Sequence, residues 1–412
     1  MFTLNSLQGT KAERRTAAPG RWGCLLLLAV LQTAALASGQ VREAKKILIV
    51  EDQVSAPAVE AVARVFESNL ASMSADPLNF YRESLDTFLI PEEDYQAAVR
   101  QWYEKKYSHR KLDLIVTIGP ASHDFLLNER PRYFADVPVV FLLDLKPEGN
   151  MAPTEAGFAG VWMEFDPVAT LDVARDLLPT TKHVAVVAGD GMFDKLFTKS
   201  VKTELQGYQG LDITYLTDLD LASLLKQVGK LSSDTVVLYL TVTKDRNGRH
   251  MFVAYTLPLV SAAADVPVFG MMDLVVGKEI AAGRGIVGGR VTDLADSAPT
   301  AAEIASRILK GERPENIPQV TVANRYVFDW KLLQKWGLDA SRLPPGSTIL
   351  NREPGMWQRY KQIILGALAL IVFLLGVVVY LLIERAKRLR VQEALKAHVV
   401  EKEKAAAAMM DL

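Results

Sequence analysis

The sequence has little of what would staple it, charge it or arm it for chemistry. Its 412 residues include one cysteine, Cys24. A single thiol forms no intrachain disulfide, so any folded part must rest on an apolar core. Charge of one sign is missing too: 47 Lys and Arg stand against 48 Asp and Glu, a formal net charge of −1. That balance leaves no basic footprint and excludes nucleic acid as an expected partner. The five histidines (109, 123, 183, 250 and 398) are scattered rather than set at metal-ligand spacing. Neither a Gly-x-Ser-x-Gly elbow nor a phosphate-binding loop occurs, and no nucleophile–base constellation stands out. The expectation is a chain with no catalytic module, no metal and no cofactor.

What the sequence does have is one long apolar run, Ile363 to Ile383, without charge or proline. At ~1.5 Å per residue it reaches across a ~30 Å hydrocarbon core. A buried core helix of that length would normally show a polar stripe. Trp357, Tyr360 and Tyr380 stand near its ends, as interface anchors do. The segment that follows, Glu384 to Arg390, holds four cations against one anion and points to the cytoplasmic side; Arg352, Arg359 and Lys361 upstream soften that signal. At the N-terminus, Lys11, Arg14, Arg15 and Arg21 precede a short apolar stretch, Cys24 to Ala37, which ends in Ala-Leu-Ala. This is the layout of a secretory signal peptide, with an uncleaved anchor as the alternative. Both readings place the large domain, from about Val41 to Tyr360, in the periplasm, and with the signal peptide removed the protein is single-pass in the inner membrane. The expected division is 1–40 signal or anchor, 41–320 folded domain, 321–361 juxtamembrane tail, 362–383 span and 384–412 cytoplasmic helix.

Between these ends, short β-branched runs alternate with helical periodicity. Strands are predicted at Lys46–Val50, Leu78–Arg82, Leu114–Ile118 and Pro138–Leu142, with helices at 56–71, 91–107 and 121–128 between them. A Gly/Pro-rich stretch, 146–157, follows, and the alternation restarts with Phe158–Trp162, Val184–Val187, Ile213–Leu216, Thr235–Leu240 and Val266–Phe269. Alternation of this kind predicts parallel sheets covered by helices on both faces. The fold class expected is α/β, two doubly wound lobes with a ligand cleft: lobe 1 about 45–145 with 290–312, lobe 2 about 158–287. Gly283, Gly285, Gly288 and Gly289 crowd one stretch, where backbone should pass close to something.

Several segments resemble a known family. Leu112-Asp-Leu-Ile-Val-Thr-Ile-Gly-Pro120, Asp136-Val-Pro-Val-Val-Phe141, Asp265-Val-Pro-Val-Phe-Gly270, Gly285-Ile-Val-Gly-Gly289 and Arg307-Ile-Leu-Lys-Gly-Glu-Arg-Pro314 look like the ABC-transporter substrate-binding family with the type I periplasmic binding fold. The tail, Asn324 to Lys331, Trp336-Gly-Leu338, Leu343 to Ser347 and Glu353 to Trp357, resembles the branch found as the extracytoplasmic sensor ahead of histidine kinases. The resemblance implies two lobes closing on a small molecule. A kinase module in those relatives would lie beyond residue 412, so output is expected from a longer chain or a separate cytoplasmic partner.

In open α/β sheets ligands sit beyond the carboxyl ends of the strands. That rule selects Asp52 (with Glu51), Gly119, Pro120, Ser122 and Asp144 from lobe 1. From lobe 2 it selects Phe193 (with Asp190), Tyr239, Thr241 and Asp273. The turn Gly119–Ser122 opens a helix whose free N–H groups could seat a carboxylate; a flat ring such as Phe193 or Tyr239 would supply shape. Each of these residues could equally cap a helix or close a turn. His123-Asp124 reads as a helix N-terminal pair. Lys46 to Asp52 mimics the first strand of a response-regulator receiver, but the strand ending at Gly119 lacks the phosphate-accepting aspartate. After the span, Ala386, Leu389 and Ala394 suggest a helix that is either solvated or paired in a homodimer as a short coiled coil. Two functions stay open: the input half of a sensor, or a membrane-tethered solute-binding protein serving an ABC permease. An extracytoplasmic enzyme is the third and weakest.

Overall fold

The structure is a computed structural model. It describes residues 43–53, 57–86, 90, 92–147, 155–273, 285–352 and 356–410. The expected signal segment, 1–40, and Gly283 lie outside these residues.

The strand β1 (Lys45–Glu51) shows why the sheets form. Its side chains alternate between two apolar layers, as strand geometry requires. Ile47 and Ile49 face the layer containing Val62, Phe66 and Leu70 of helix α1 (Pro57–Met73). Leu48 and Val50 face the layer containing Tyr103 and Tyr107 of α2 (Glu93–Tyr107) and Leu126 of α3 (Pro120–Tyr133). All four β1 side chains are fully buried, worth roughly 1.5–3 kcal/mol each. Strands β2 (Leu78–Ser84), β3 (Leu114–Ile118), β4 (Val139–Leu145), β5 (Phe158–Met163) and β12 (Val320–Thr321) complete a six-stranded sheet in the order β12-β5-β4-β3-β1-β2. All its pairings are parallel.

The second sheet, β7-β6-β8-β9, is also parallel: β6 is His183–Val187, β7 Asp212–Leu216, β8 Thr235–Tyr239 and β9 Val268–Gly270. Four helices accompany it: α4 (Pro167–Leu177), α5 (Met192–Glu204), α6 (Leu221–Val228) and α7 (Val253–Ala263). Helix α8 (Ser297–Leu309) returns to the first lobe, where buried Ala298, Ala301, Ala302 and Ala305 let it pack tightly against α1, β4 and β5. Two parallel-sheet α/β lobes therefore make up the body of the protein.

Two expectations change. The strand expected at Phe158–Trp162 in the second lobe is β5, Phe158–Met163, and it pairs with β4 in the first sheet. The chain crosses between lobes after Met163, not within 146–157. The cause is that β5 is apolar on both faces: Ala159, Val161 and Met163 fill one layer, Phe158 and Trp162 the other. The second concerns the tail, expected as a juxtamembrane segment, which also enters a sheet. Its β13 (Asn324–Asp329) pairs antiparallel with β11 (Gly288–Asp293), which also pairs with β10 (Met272–Asp273), and Phe328 is fully buried. Gly289 of β11 has no room for a side chain, since a Cβ would stand 2.2 Å from the Gly270 carbonyl oxygen.

Backbone contacts divide the chain into two units, one reaching Phe328 with Leu332–Thr348, the other comprising Asp329–Lys331 and Ile349 onward. Helices α9 (Trp330–Lys335) and α10 (Met356–Met410) follow in chain order. Helix α10 has 55 residues. Its most apolar 18-residue window has mean hydropathy 3.0 with none of it buried, so α10 is a candidate transmembrane helix.

Candidate functional site

In lobe 1 the strand ends are organised by Asp52, the buried residue just after β1. One oxygen accepts the Ala121 N–H at 3.1 Å, the other the Ser122 N–H at 2.6 Å. Pro120, first residue of α3, has no N–H, so these are the first free donors of the helix. Gly119 makes the contact feasible. Its φ is +111°, a conformation that costs other residues, and a Cβ there would lie 2.3 Å from Asp52 Oδ2. The Ser122 hydroxyl donates back to the Gly119 carbonyl at 2.9 Å. The helix terminus expected to seat a ligand carboxylate thus already holds one, from the chain itself. Burial pushes the Asp52 carboxyl up to about 7; the Ser122 and Ala121 donors pull against it and the Asp144 charge adds to it.

Asp144, near the end of β4, accepts the Leu145 N–H at 2.7 Å and pairs through its other oxygen with His123 Nδ1. His123 is buried and stacked on Phe141, ring centroids 4.6 Å apart, with Phe158 and Trp162 at 5.5 and 5.7 Å. His123 and Asp124 stand near the N-terminus of α3, as expected, and His123 takes Asp144 as its partner. Asp124 is exposed, and among the described residues it makes no ion pair. Burial and then the Asp144 charge push its carboxyl up.

In lobe 2 the organiser is Asp194, which the strand-end rule missed. It is fully buried in the first turn of α5. Its carboxylate accepts the Gly191 N–H at 3.0 Å, the Thr241 hydroxyl at 2.6 Å, the Thr243 N–H at 2.9 Å, the Thr243 hydroxyl at 2.8 Å and the Lys244 N–H at 3.3 Å. Burial pushes this carboxyl up while the Thr241, Thr243 and Gly191 donors oppose the shift. Its signal in the sequence was positional: an acid three residues after Gly191 at a helix start.

Asp194 accounts for the other lobe 2 candidates. Thr241 is buried and spends its hydroxyl on Asp194. Tyr239 is 1 % exposed, its hydroxyl 2.9 Å from that of Thr256; neither residue presents a polar group to a cleft. Phe193 is half-buried, its ring 6.0 Å from Phe197. Asp190 pairs with Lys195 at 2.7 Å. Asp273 is placed by backbone register opposite Asp293.

Beside exposed polar residues such as Arg246, Asn247 and Arg249, this side also exposes large apolar side chains. Met192 (48 % exposed) and Leu196 (38 %) sit one turn apart on α5; Phe252 (51 %) and Tyr255 (63 %) flank the start of α7. Asp194 holds Thr243, and the Thr243 carbonyl accepts the Met251 N–H at 2.8 Å, so one network positions both helix starts. A cavity of about 200 Å³ lies against α2 and α3, its lining including Leu85, Val99, Arg100, Asp124, Phe125 and Glu129 from lobe 1 and Met192 from lobe 2. The starts of α3 and α5 therefore face each other across a gap.

No family model matches the sequence, and no curated protein does. Solved structures do match. An ABC domain from Streptococcus pneumonia, in complex with L-Trp, aligns over 75 % of this chain and 100 % of its own, with TM-score 0.56 and 14 % identity. A substrate-binding protein with adhesive properties from Clostridium difficile, in a ligand-free, open form, aligns over 75 % and 100 %, with TM-score 0.54 and 16 % identity. A conserved domain protein from Vibrio cholerae gives 0.55 at 17 % identity over 74 % and 99 %. The lobes have the fold of ABC-transporter solute-binding proteins, the type I periplasmic binding fold.

Proposed function

We propose that the chain is a membrane-anchored receptor whose two lobes close on a small molecule outside the cytoplasm. Helix α10 then carries the change to a histidine-kinase-type partner inside. The observation behind the sensor reading is the length of α10, which continues without a break from the apolar run ending at Ile383 to Met410. A mere tether needs no such extension, whereas a receptor needs a continuous element to move. Closure biases signalling only by as much as the ligand prefers the closed state. On this reading the protein binds and does not transform its ligand.

The second reading is a tethered solute-binding protein that hands cargo to an ABC permease. Two of the three structures similar in fold favour it, one named a substrate-binding protein and one an ABC domain in complex with L-Trp.

The test uses the full chain in lipid nanodiscs against a panel of amino acids, amines, organic acids and sugars. A ligand at 100 times its dissociation constant adds about 2.7 kcal/mol of stability, a shift readable by thermal melting. With a binder in hand, cysteines placed at Leu389 and Leu395 report crosslinking between inner helices. A ligand-dependent change in crosslinking is expected for a receptor. Binding with unchanged crosslinking would favour delivery, and a panel without binders would overturn both readings.

A further inference from the structure

We infer that the cleft takes a cationic amine with an aromatic or apolar body and no free carboxylate; this rests on the small-molecule reading above. The starting point is the anion seat at the head of α3, which is closed. A ligand carboxylate would have to displace Asp52, which is buried behind Gly119 and held by the Ala121 and Ser122 N–H groups.

The charges around the gap are lopsided. Asp144 and Asp124 stand on the lobe 1 side, and His123 is the one ion-pair partner either has among the described residues. Arg100 lines the cavity with Asp124 and is paired there with Glu129 at 3.9 Å, and Lys195 at the start of α5 is paired with Asp190 at 2.7 Å. The cavity lining thus holds two carboxylates against one guanidinium, and Asp124 is the one left for an entering ammonium.

The body of the ligand follows from the lobe 2 side. Met192 and Leu196 at the start of α5 and Phe252 and Tyr255 at the start of α7 expose apolar surface, and Met192 lines the cavity with Leu85, Val99 and the Phe125 ring. The cavity of about 200 Å³ that joins Asp124 to Met192 brings the acidic and apolar sides together.

Matched compounds separate the charge from the body. Calorimetry on the full chain in nanodiscs would compare 2-phenylethylamine, tryptamine and hexylamine with phenylacetate, indole-3-acetate and hexanoate, and with phenylalanine and a neutral sugar. At least one amine should bind, about tenfold or more tighter than its matched acid. Asp124→Asn, at an exposed site, should weaken that amine about tenfold. Phe252→Ala should weaken it too, with Glu303→Gln as the unaffected control. Asp144→Asn could perturb folding through His123, so its melting curve is read alongside. An acid, amino acid or sugar that binds while the amines stay silent overturns the ligand class and spares the receptor reading. Equal affinity for amine and acid, or an amine indifferent to Asp124→Asn and Phe252→Ala, overturns it as well. A silent panel overturns both, and capture of a protein partner by the Met192–Tyr255 face would then be the outcome to pursue.

Discussion

Asp52 and Asp194 do the same job in the two lobes, each a buried carboxylate at the start of a helix, but with different support. Asp52 has two backbone donors; Asp194 has five contacts, two of them from hydroxyls. Burying a carboxylate is costly unless hydrogen bonds replace its water. Lobe 2 supplies that replacement generously and fixes a whole loop with it. Lobe 1 supplies it thinly and leaves Asp52 titrating near neutrality. The lesson is that the same acid at the same kind of position becomes a rigid fastening or a proton-sensitive one according to its donors.

The sharpest way to break this comparison is Asp194→Ala. It strands the Thr241, Thr243 and Gly191 donors and should cost about 3–5 kcal/mol in denaturant unfolding of the full chain. A loss below about 1 kcal/mol would mean that the loop after β8 holds itself. Next comes Gly119→Ala, expected to cost about 2–4 kcal/mol from the positive φ and the collision with Asp52. Adding Asp52→Ala should make the pair less costly than the sum of the singles, because the collision is gone.

A smaller effect concerns pH. The folded-state pKa of Asp52 lies near 7, above its ordinary 3.8, so the folded chain holds this proton more tightly than the unfolded one. The stability from that proton is present in full below about pH 4 and is lost as pH rises toward 7. Asp52→Asn should therefore gain on the parent over that window and run parallel to it above. Parallel curves throughout would place the titration elsewhere. The smallest effects divide the lobe 2 residues. Tyr239→Phe should cost about 1 kcal/mol for its lost hydrogen bond and leave ligand affinity unchanged. Phe252→Ala should cost under about 0.5 kcal/mol and lower affinity.

The fold was largely legible because its signals are local. Lys-Ile-Leu-Ile-Val before a helical period declares a buried parallel strand, and the run to Ile383 declares a long apolar helix. The placement of β5 was not legible, since pairing Phe158–Met163 with β4 depends on partners far along the chain. The candidate site was legible only in outline. The strand-end rule found Asp52, Gly119 and Asp144, but it cannot tell a side chain that faces a ligand from one that fastens its own loop. Tyr239 and Thr241 went inward because Thr256 and Asp194 await them there. Phe252 and Tyr255 lay beyond the window the rule inspects, past a loop whose length hid their position.

The inward turn of the polar groups has a consequence for how such a protein changes over generations. On the ligand class proposed above, recognition and architecture fall on different residues: Met192, Leu196, Phe252 and Tyr255 are exposed, while Asp194, Thr241 and Tyr239 are buried. Mutation can retune the first set without endangering the second. A lineage built this way can adopt a new solute by a few surface exchanges and inherit its scaffold intact.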